Sequence, residues 1–550
     1  MFSRVGSRCL PSCRRRALHA SVRVRTFATS PNVAASTFAH SASSSSPLGA
    51  LTIELDRIAP RFEIHASHIK IIDSPNSFYQ TLKVRISQPI NLRATDILRF
   101  QQKIKHAKRR IYLSTLYIGR SELELINTIS QSLRENPDLT VSILTDCLRG
   151  TRESPDPSCA SLLASLVEEH GSNRVEIRMF HTPNLVGFRK RHVPKRINEG
   201  WGLQHMKLYG IDDEIILSGA NLSNDYFTNR LDRYHLFSSK ELADYYGCIH
   251  DAIGHLSFLV IPSKKEKSGY ILEWPTTNTA PSPLEDPKAF RSSASKLLPK
   301  LIAPTQTKTP TFSLSDDKTY VYPVAQFTSL LRPDASTEFP AVTSILGALS
   351  KNPDLENSKW LFTAGYFNIH PALSSLLINS TASSTIRQAQ GVVLTASPWA
   401  NGFYGSSGVS GMLPAGYTHL SSRFLDRVAA AKKTNSIQLK EWRRGTVGEP
   451  GGWTYHAKGL WITLPNEKFP SLTVVGSSNY TKRSYSLDLE VGAVVVTSNE
   501  QLKQRLGEEA MLLQEDAKEI SREDFRKVER RVGWHVRLAM WIVNIVGGAM

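Results

Sequence analysis

HMKLYGIDDEIILSGANLSNDYFTNRLDRY at 205–234 and HAKGLWITLPNEKFPSLTVVGSSNYTKRSYSLDLE at 456–490 are two versions of one pattern. Each opens on His-x-Lys: His205 with Lys207, and His456 with Lys458. Each then carries an asparagine, Asn221 or Asn479, and an acid 11 residues beyond it, Asp232 or Glu490. Upstream, the apolar run IYLSTLYI at 111–118 is matched by WLFTAGYF at 360–367, an offset of 249. The run ending at Thr145 is matched by one ending at Thr395, an offset of 250, and the two histidines are 251 apart. Landmarks at so constant an offset indicate a duplicated domain. Apolar runs alternating with helical patterns, such as Asp96 to Lys108 before the first run, predict an α/β fold in each copy. Two tandem α/β domains related by a pseudo-two-fold, with the site at their interface, follow from this.

QHMKLYG and YHAKGLW alternate as strands do, so residues i and i+2 share a face. His205 and Lys207 then point one way, with Met206 and Leu208 opposite. His456 and Lys458 do the same, with Ala457 and Trp461 opposite. Asp212-Asp213 and Pro465-Asn466 are turn residues, so each strand returns as a hairpin. The return strands, EIILSG and LTVVGS, bring Asn221 and Asn479, with Ser477 and Ser478, back toward the His-Lys faces. Two such copies face to face make a phosphate clamp. One imidazole attacks phosphorus while the other serves as acid and then base. Two lysines and two asparagines neutralise the oxygens of the transition state. Asp232 and Glu490 bond the far nitrogens of the imidazoles and fix their tautomers.

The chain has 550 residues and a net charge of +18. Residues 1–50 hold seven arginines, no lysine and no acid, so the rest carries +11. A basic body suits phosphate-bearing ligands, anionic lipid or nucleic acid, and charge alone does not choose. Residues 1–27 have the composition of a mitochondrial transit peptide, and the neighbourhood of Arg25 and Ala28 resembles a matrix-protease site. Residues 28–50 read as a disordered, Ser-rich segment. A first domain is expected over 51–261, a Pro- and Ser-rich linker over 262–318, a second domain over 319–512 and a helical tail over 513–550. The five cysteines show no metal spacing or disulfide framework, which fits a reducing compartment. No run reaches the roughly 20 apolar residues of a membrane span. In the tail, Trp534 and Trp541 with Arg530, Arg531 and Arg537 fit either a helix in the plane of a membrane interface or one packed on the domain.

These segments resemble the HKD motifs of the phospholipase D superfamily, and the resemblance extends over roughly residues 90–260 and 340–500. HVPKRINEGWGLQHMKLYGIDDEIILSGANLSNDYF, TASPWANGFYGSSGVSGMLPAGYT and GWTYHAKGLW are similar, within it, to the eukaryotic mitochondrial phosphatidyltransferases that use a CDP-linked lipid. The resemblance implies transfer of a phosphatidyl group from CDP-diacylglycerol to glycerol 3-phosphate with release of CMP, on the matrix face of the inner membrane. It implies peripheral contact with an anionic membrane and no nucleic acid, and leaves the oligomeric state open. It implies catalytic roles for His205, Lys207, Asp212, Asn221, Asp232, His456, Lys458, Asn479 and Glu490, with His205 as nucleophile and His456 as acid and base. No metal and no cofactor are expected, and the Asp-rich metal motif of the other phosphatidyltransferase class is missing from the sequence. The alternatives on the same fold are a phospholipase D-type hydrolase, a nuclease, or a phosphatidylserine or cardiolipin synthase; a non-catalytic lipid-binding relic is the alternative of another class.

The second motif departs from the pattern, with Thr463 where an aspartate is expected. The first has Ser218-Gly219-Ala220-Asn221 in place of Gly-Ser-x-Asn. Candidate substrate contacts are Arg149 and Arg152 after a strand end, Arg189, Lys190, Arg191, Lys195 and Arg196 in the basic run before motif one, and Ser477 and Ser478 of motif two. The Gly-rich ANGFYGSSGVSG at 400–411 lacks the ending of a P-loop.

Overall fold

The computed structural model describes residues 47–82, 103–152, 158–193, 197–304 and 318–545. The expected transit segment, 1–27, lies outside them. Both versions of the pattern fold into sheets of one topology. The first sheet contains β1 (Ile69–Ile72), β2 (Arg110–Ser114), β3 (Thr140–Asp146), β4 (Val175–Phe180), β5 (Leu208–Ile211), β6 (Glu214–Ser218) and β7 (Tyr234–Ser238). Their order is β4-β3-β2-β5-β6-β7-β1. The second contains β8 (Lys318–Gln326), β9 (Lys359–Ala364), β10 (Gly391–Ala396), β11 (Ile437–Trp442), β12 (Lys458–Thr463), β13 (Leu472–Gly476) and β14 (Glu490–Thr497). Their order is β11-β10-β9-β12-β13-β14-β8. Adding seven to each label converts the first order into the second. The cross-strand register is kept too: Ile111 pairs with Ile211, and Trp360 with Ile462.

In each sheet three strands run parallel (β2 with β3 and β4, β9 with β10 and β11) and the rest are antiparallel. The antiparallel hairpins β5–β6 and β12–β13 are the ones expected from the turn residues. His205 and Lys207 precede β5, and His456 sits between Thr454–Tyr455 and β12. The His-x-Lys triplets thus lie at the amino ends of β5 and β12, with both histidines and both lysines buried.

Three apolar clusters hold the layers. One lies between the sheets, joining Met206, Leu208 and Phe237 to Trp461, Val475 and Val491. The helices Lys240–Gly254 and Glu500–Leu512, which follow β7 and β14, are part of it. Tyr246 of the first of these donates its hydroxyl to the Gly492 carbonyl at 2.8 Å, so the copies are bonded as well as packed. The other two clusters cover the outer faces of the sheets with helices such as Leu123–Glu135 and Glu338–Lys351.

Some elements differ from the sequence expectation. The stretch read as a linker, 262–318, carries an edge strand, Tyr270–Glu273, and a helix, Pro287–Ile302. Asp286 caps that helix by accepting from the Lys288 and Ala289 amides, and Phe290, Ala294, Leu298 and Ile302 form its buried face. Polar composition on the outer face hid a four-residue apolar spacing. The helix Pro47–Asp56 begins inside the segment read as disordered, and Phe62–His65 joins the second sheet by pairing with β8. Of the expected helix from Asp96 to Lys108, residues 96–102 lie outside the described ones and 103–106 form a turn. In the tail, Ala517–Glu519 pairs with β11. The helix Trp534–Ile545 buries Val536 and Met540 and leaves Trp534 and Leu538 exposed. Arg530 is turned inward, donating to both oxygens of Glu441 at 2.9 and 2.6 Å.

Candidate active site

The two His-x-Lys triplets are fixed by backbone bonds that cross between the copies. The His205 amide donates to the Leu489 carbonyl at 2.9 Å, and the His456 amide donates to the Leu231 carbonyl at 2.8 Å. Each histidine is thereby zipped to the segment that carries the acid of the opposite copy. Asp232 Oδ2 lies 2.6 Å from Nδ1 of His456, and the Glu490 oxygens lie 2.9 and 3.0 Å from Nδ1 of His205. With Nδ1 held by the carboxylate, Nε2 is the nitrogen left to each ring for chemistry; Lys458 Nζ lies 2.8 Å from Nδ1 and 3.4 Å from Nε2 of His456. His456 Nε2 has the Tyr226 hydroxyl 3.4 Å away.

The lysines curl back onto their own histidines. Lys207 Nζ donates to the His205 carbonyl at 2.7 Å, and Lys458 Nζ to that of His456 at 2.8 Å. Lys458 Nζ is also 3.7 Å from Asp232 Oδ2. A Cβ on Gly219 would sit 2.7 Å from both Asp232 Oδ1 and Lys458 Nζ, so the irregular Ser-Gly of motif one leaves room for that pair. Asn221 Nδ2 donates to the Tyr226 hydroxyl at 3.3 Å. Asn479 Oδ1 is buried with no partner, an open acceptor beside the second motif. Ser477 donates to Glu490, and Ser478 Oγ accepts from the Tyr480 amide at 3.1 Å. These serines hold the acid and the turn.

Burial sets the ionisation of the site. It lowers both histidines well below their ordinary value, helped by Lys207 and Lys458. It pushes Lys207 down to about 7 and Glu490 up to about 7. Burial also acts to raise Asp232, but Lys458 and His456 outweigh it and hold that carboxylate below its usual range. The field of Lys458 is felt at His205 and Lys207, so the half-sites share one electrostatic environment.

The other expected residues fall into three groups. Asp212 is not with the histidines. It stands in the turn beyond the far end of β5, at φ +51°, with its carboxylate accepting from the amides of Lys108, Arg109 and Arg110. Thr463 occupies the same end of β12. Arg149 and Arg152 do reach the site's edge: both pair with Glu199, just before motif one, and Arg149 stacks on Tyr117 at 4.8 Å. Arg189, Lys190 and Arg191 lie on an exposed helix, Gly187–His192, and Lys195 and Arg196 fall outside the described residues.

Several residues at the site were not found from sequence. Tyr226 and Tyr366 stand edge-on to the His456 ring at 5.2 and 5.3 Å. Arg230 stacks on Tyr226 at 4.6 Å. Arg483 pairs with Asp488 at 3.0 Å and donates to the Glu199 carbonyl. Arg230 and Asp488 each lie two residues before a recognised acid, the one signal that marks them.

A duplicated α/β fold whose two copies exchange acids to orient a pair of His-x-Lys motifs defines a phospholipase D-like protein. A phosphatidylserine synthase from Haemophilus influenzae Rd KW20 has this fold, with a TM-score of 0.63 at 18% identity, covering 90% of this chain and 97% of its own. No family model matches the chain. It is, however, 43% identical over 491 residues to the CDP-diacylglycerol–glycerol-3-phosphate 3-phosphatidyltransferase of Saccharomyces cerevisiae, covering 88% of this chain and 89% of the relative. It is 40% identical to that of Schizosaccharomyces pombe, over 87% and 95%. It is 31% identical to the mitochondrial human enzyme, over 88% and 84%. The chain belongs to the CDP-diacylglycerol–glycerol-3-phosphate 3-phosphatidyltransferase family.

Proposed function

We propose that the protein transfers the phosphatidyl group of CDP-diacylglycerol to sn-glycerol 3-phosphate, giving phosphatidylglycerophosphate and CMP. The observation that carries this reading is the pair of imidazoles, each oriented by the other copy's carboxylate, in a chain of this family. Nε2 of His205 attacks the lipid phosphorus and forms the P–N bond. The P–O bond to CMP breaks, and His456 gives the departing oxygen a proton. Neutral His456 then takes the proton of a glycerol 3-phosphate hydroxyl, whose oxygen attacks phosphorus as the P–N bond breaks. Asp232 is the ionised partner an acid and base needs, which suits His456 to that role; the Glu490 oxygens accept from Nδ1 of His205 and keep Nε2 unprotonated for attack. Lys207, Lys458, Asn221 and Asn479 stabilise the phosphoryl oxygens.

Purified protein supplied with CDP-diacylglycerol should make product with glycerol 3-phosphate and not with serine, phosphatidylglycerol or water. After denaturation, labelled lipid should remain on histidine in His456→Ala and be missing from His205→Ala. Label retained in His205→Ala would overturn the assignment.

The protein works on the matrix face of the mitochondrial inner membrane in this reading, supported by the composition of residues 1–27 and by vertebrate relatives named mitochondrial. Among the described residues no helix is long and apolar enough to cross a membrane. Contact with anionic lipid is peripheral, through the exposed face of Trp534–Ile545, where Trp534 and Leu538 stand beside exposed Arg531 and Arg537.

A further inference from the structure

The duplicated site is not electrically symmetric. The short parallel bridges place Arg230 and Asp488 in equivalent positions: Leu231 pairs with Tyr455, Leu489 with Gln204, and each charged residue precedes its leucine. A guanidinium therefore stands beside His456 where a carboxylate stands beside His205. Asp488 is itself neutralised by Arg483. Arg230 is held by its Nε, which donates to Thr454 Oγ1 at 2.9 Å, and by Asp225 at 3.2 Å, whose side chain is 54% exposed.

Arg230 also lies on the Nε2 side of His456. It stacks on Tyr226, whose hydroxyl is the group 3.4 Å from that nitrogen. A Cβ on Gly402 would come within 3.1 Å of both Arg230 Nη2 and the Tyr366 hydroxyl. The Gly-rich segment at 400–411, which is no P-loop, thus leaves open the space between a guanidinium and a phenol.

We propose that Arg230, with Tyr226 and Tyr366, is the subsite for the phosphate of the acceptor, and that it makes the enzyme choose a phosphorylated alcohol over a neutral one. This rests on the function proposed above. In a two-step displacement the acceptor enters opposite the nucleophile, on the side of the acid and base, and His456 marks that side. Three carbons separate the attacking oxygen of glycerol 3-phosphate from its ester oxygen, so the phosphorus, five bonds away, lies up to roughly 6 Å off. A cation one tyrosine ring removed from Nε2 meets that requirement. At the opposite pole the equivalent residue, Asp488, is an acid already paired with Arg483 and offers a phosphate no cation of its own. Nε of the guanidinium is anchored on Thr454, and a phosphate replacing the half-exposed Asp225 carboxylate at Nη2 makes the contact that arginine favours.

The test is a competition. Enzyme and CDP-diacylglycerol are given glycerol 3-phosphate and glycerol together, and the two products are counted by mass spectrometry. Both acceptors draw on the same phosphatidyl-enzyme, so the product ratio reads only the second step. Arg230→Gln should lower the ratio of phosphatidylglycerophosphate to phosphatidylglycerol about 10–100-fold, the loss of one charge-assisted bond, and Arg230→Lys should restore part of it. A merely structural role slows both products equally, and an unchanged ratio would overturn the proposal. So would a collapse of the ratio in Arg149→Gln rather than Arg230→Gln. If the glutamine variant yields no product, Arg230→Lys and Gly402→Ala, whose methyl presses on Arg230 and Tyr366, are read the same way. Wild-type protein that never uses glycerol 3-phosphate would refute the function itself, a separate result.

Discussion

Oδ2 of Asp232 lies 2.6 Å from Nδ1 of His456, a residue 224 positions away in the other copy. In the proposed mechanism the carboxylate holds the proton on Nδ1 and stabilises the imidazolium formed when His456 takes a second one. Asp232→Asn keeps the shape but loses that charge, and kcat should fall about 10³-fold with KM little changed. Glu490→Gln should behave differently, because burial raises Glu490 to about 7. At pH 6 the carboxyl is mostly protonated and glutamine resembles it; at pH 8 it is ionised and glutamine does not. The defect should therefore grow with pH between 6 and 8. Steady-state rates at three pH values decide this, and a defect constant with pH would place the charge of Glu490 outside the mechanism.

Lys207 gives the alkaline limb. Burial and the nearby Lys458 bring its ammonium down to about 7. As pH rises through that value the cation facing the phosphoryl oxygens is lost, so kcat/KM, which reports free enzyme, should fall above about pH 7. A bound diphosphate favours the charged form, so the limb in kcat should lie higher. Lys207→Arg keeps its charge at all these values and should move the kcat/KM limb upward. A limb that stays put in the arginine variant belongs to another group.

The duplication was legible because chemistry repeats where sequence does not: two His-x-Lys triplets, two asparagines and two acids at one spacing. The strand hairpins were legible from alternation and turn residues. The exchange of acids between copies was not. It depends on short parallel bridges between segments such as Arg230–Leu231 and Thr454–Tyr455, which no local pattern encodes. Arg230 and Tyr226 were hidden for the same reason, being neighbours of His456 through the fold alone. Asp212 shows the opposite case. The family resemblance puts it with the catalytic residues, while its place at a turn marks it as a hairpin-stabilising residue rather than a reactant, which agrees with its bonds to the Lys108, Arg109 and Arg110 amides.

Asp212 should therefore matter for stability rather than rate. Its carboxylate accepts from three successive amides at the start of β2, and its φ of +51° is a conformation aspartate and asparagine tolerate better than alanine. Asp212→Ala should cost about 2 kcal/mol, and Asp212→Asn less. Thermal melts give the first quantity, and kcat of the folded fraction should stay within about threefold of wild type. A large loss of kcat with an unchanged melt would return Asp212 to the catalytic group.

The helix Trp534–Ile545 has a buried face and an exposed one, and the exposed one is the proposed membrane contact. Val536 and Met540 are buried against the helix Leu413–Ala430, while Trp534, 76% exposed, and Leu538 face outward. Replacing Trp534 and Leu538 by alanine removes apolar surface that the described residues leave largely exposed, so the melting temperature should move little. Each side chain entering a bilayer interface contributes about 1–2 kcal/mol by its area, so the double variant should bind anionic vesicles at least about tenfold more weakly. Val536→Ala should do the reverse, lowering the melt through a cavity while leaving vesicle binding intact. Co-sedimentation with phosphatidylglycerol-containing vesicles, run beside the melts, distinguishes the faces. Equal vesicle binding by wild type and the double variant would place membrane contact elsewhere on the protein.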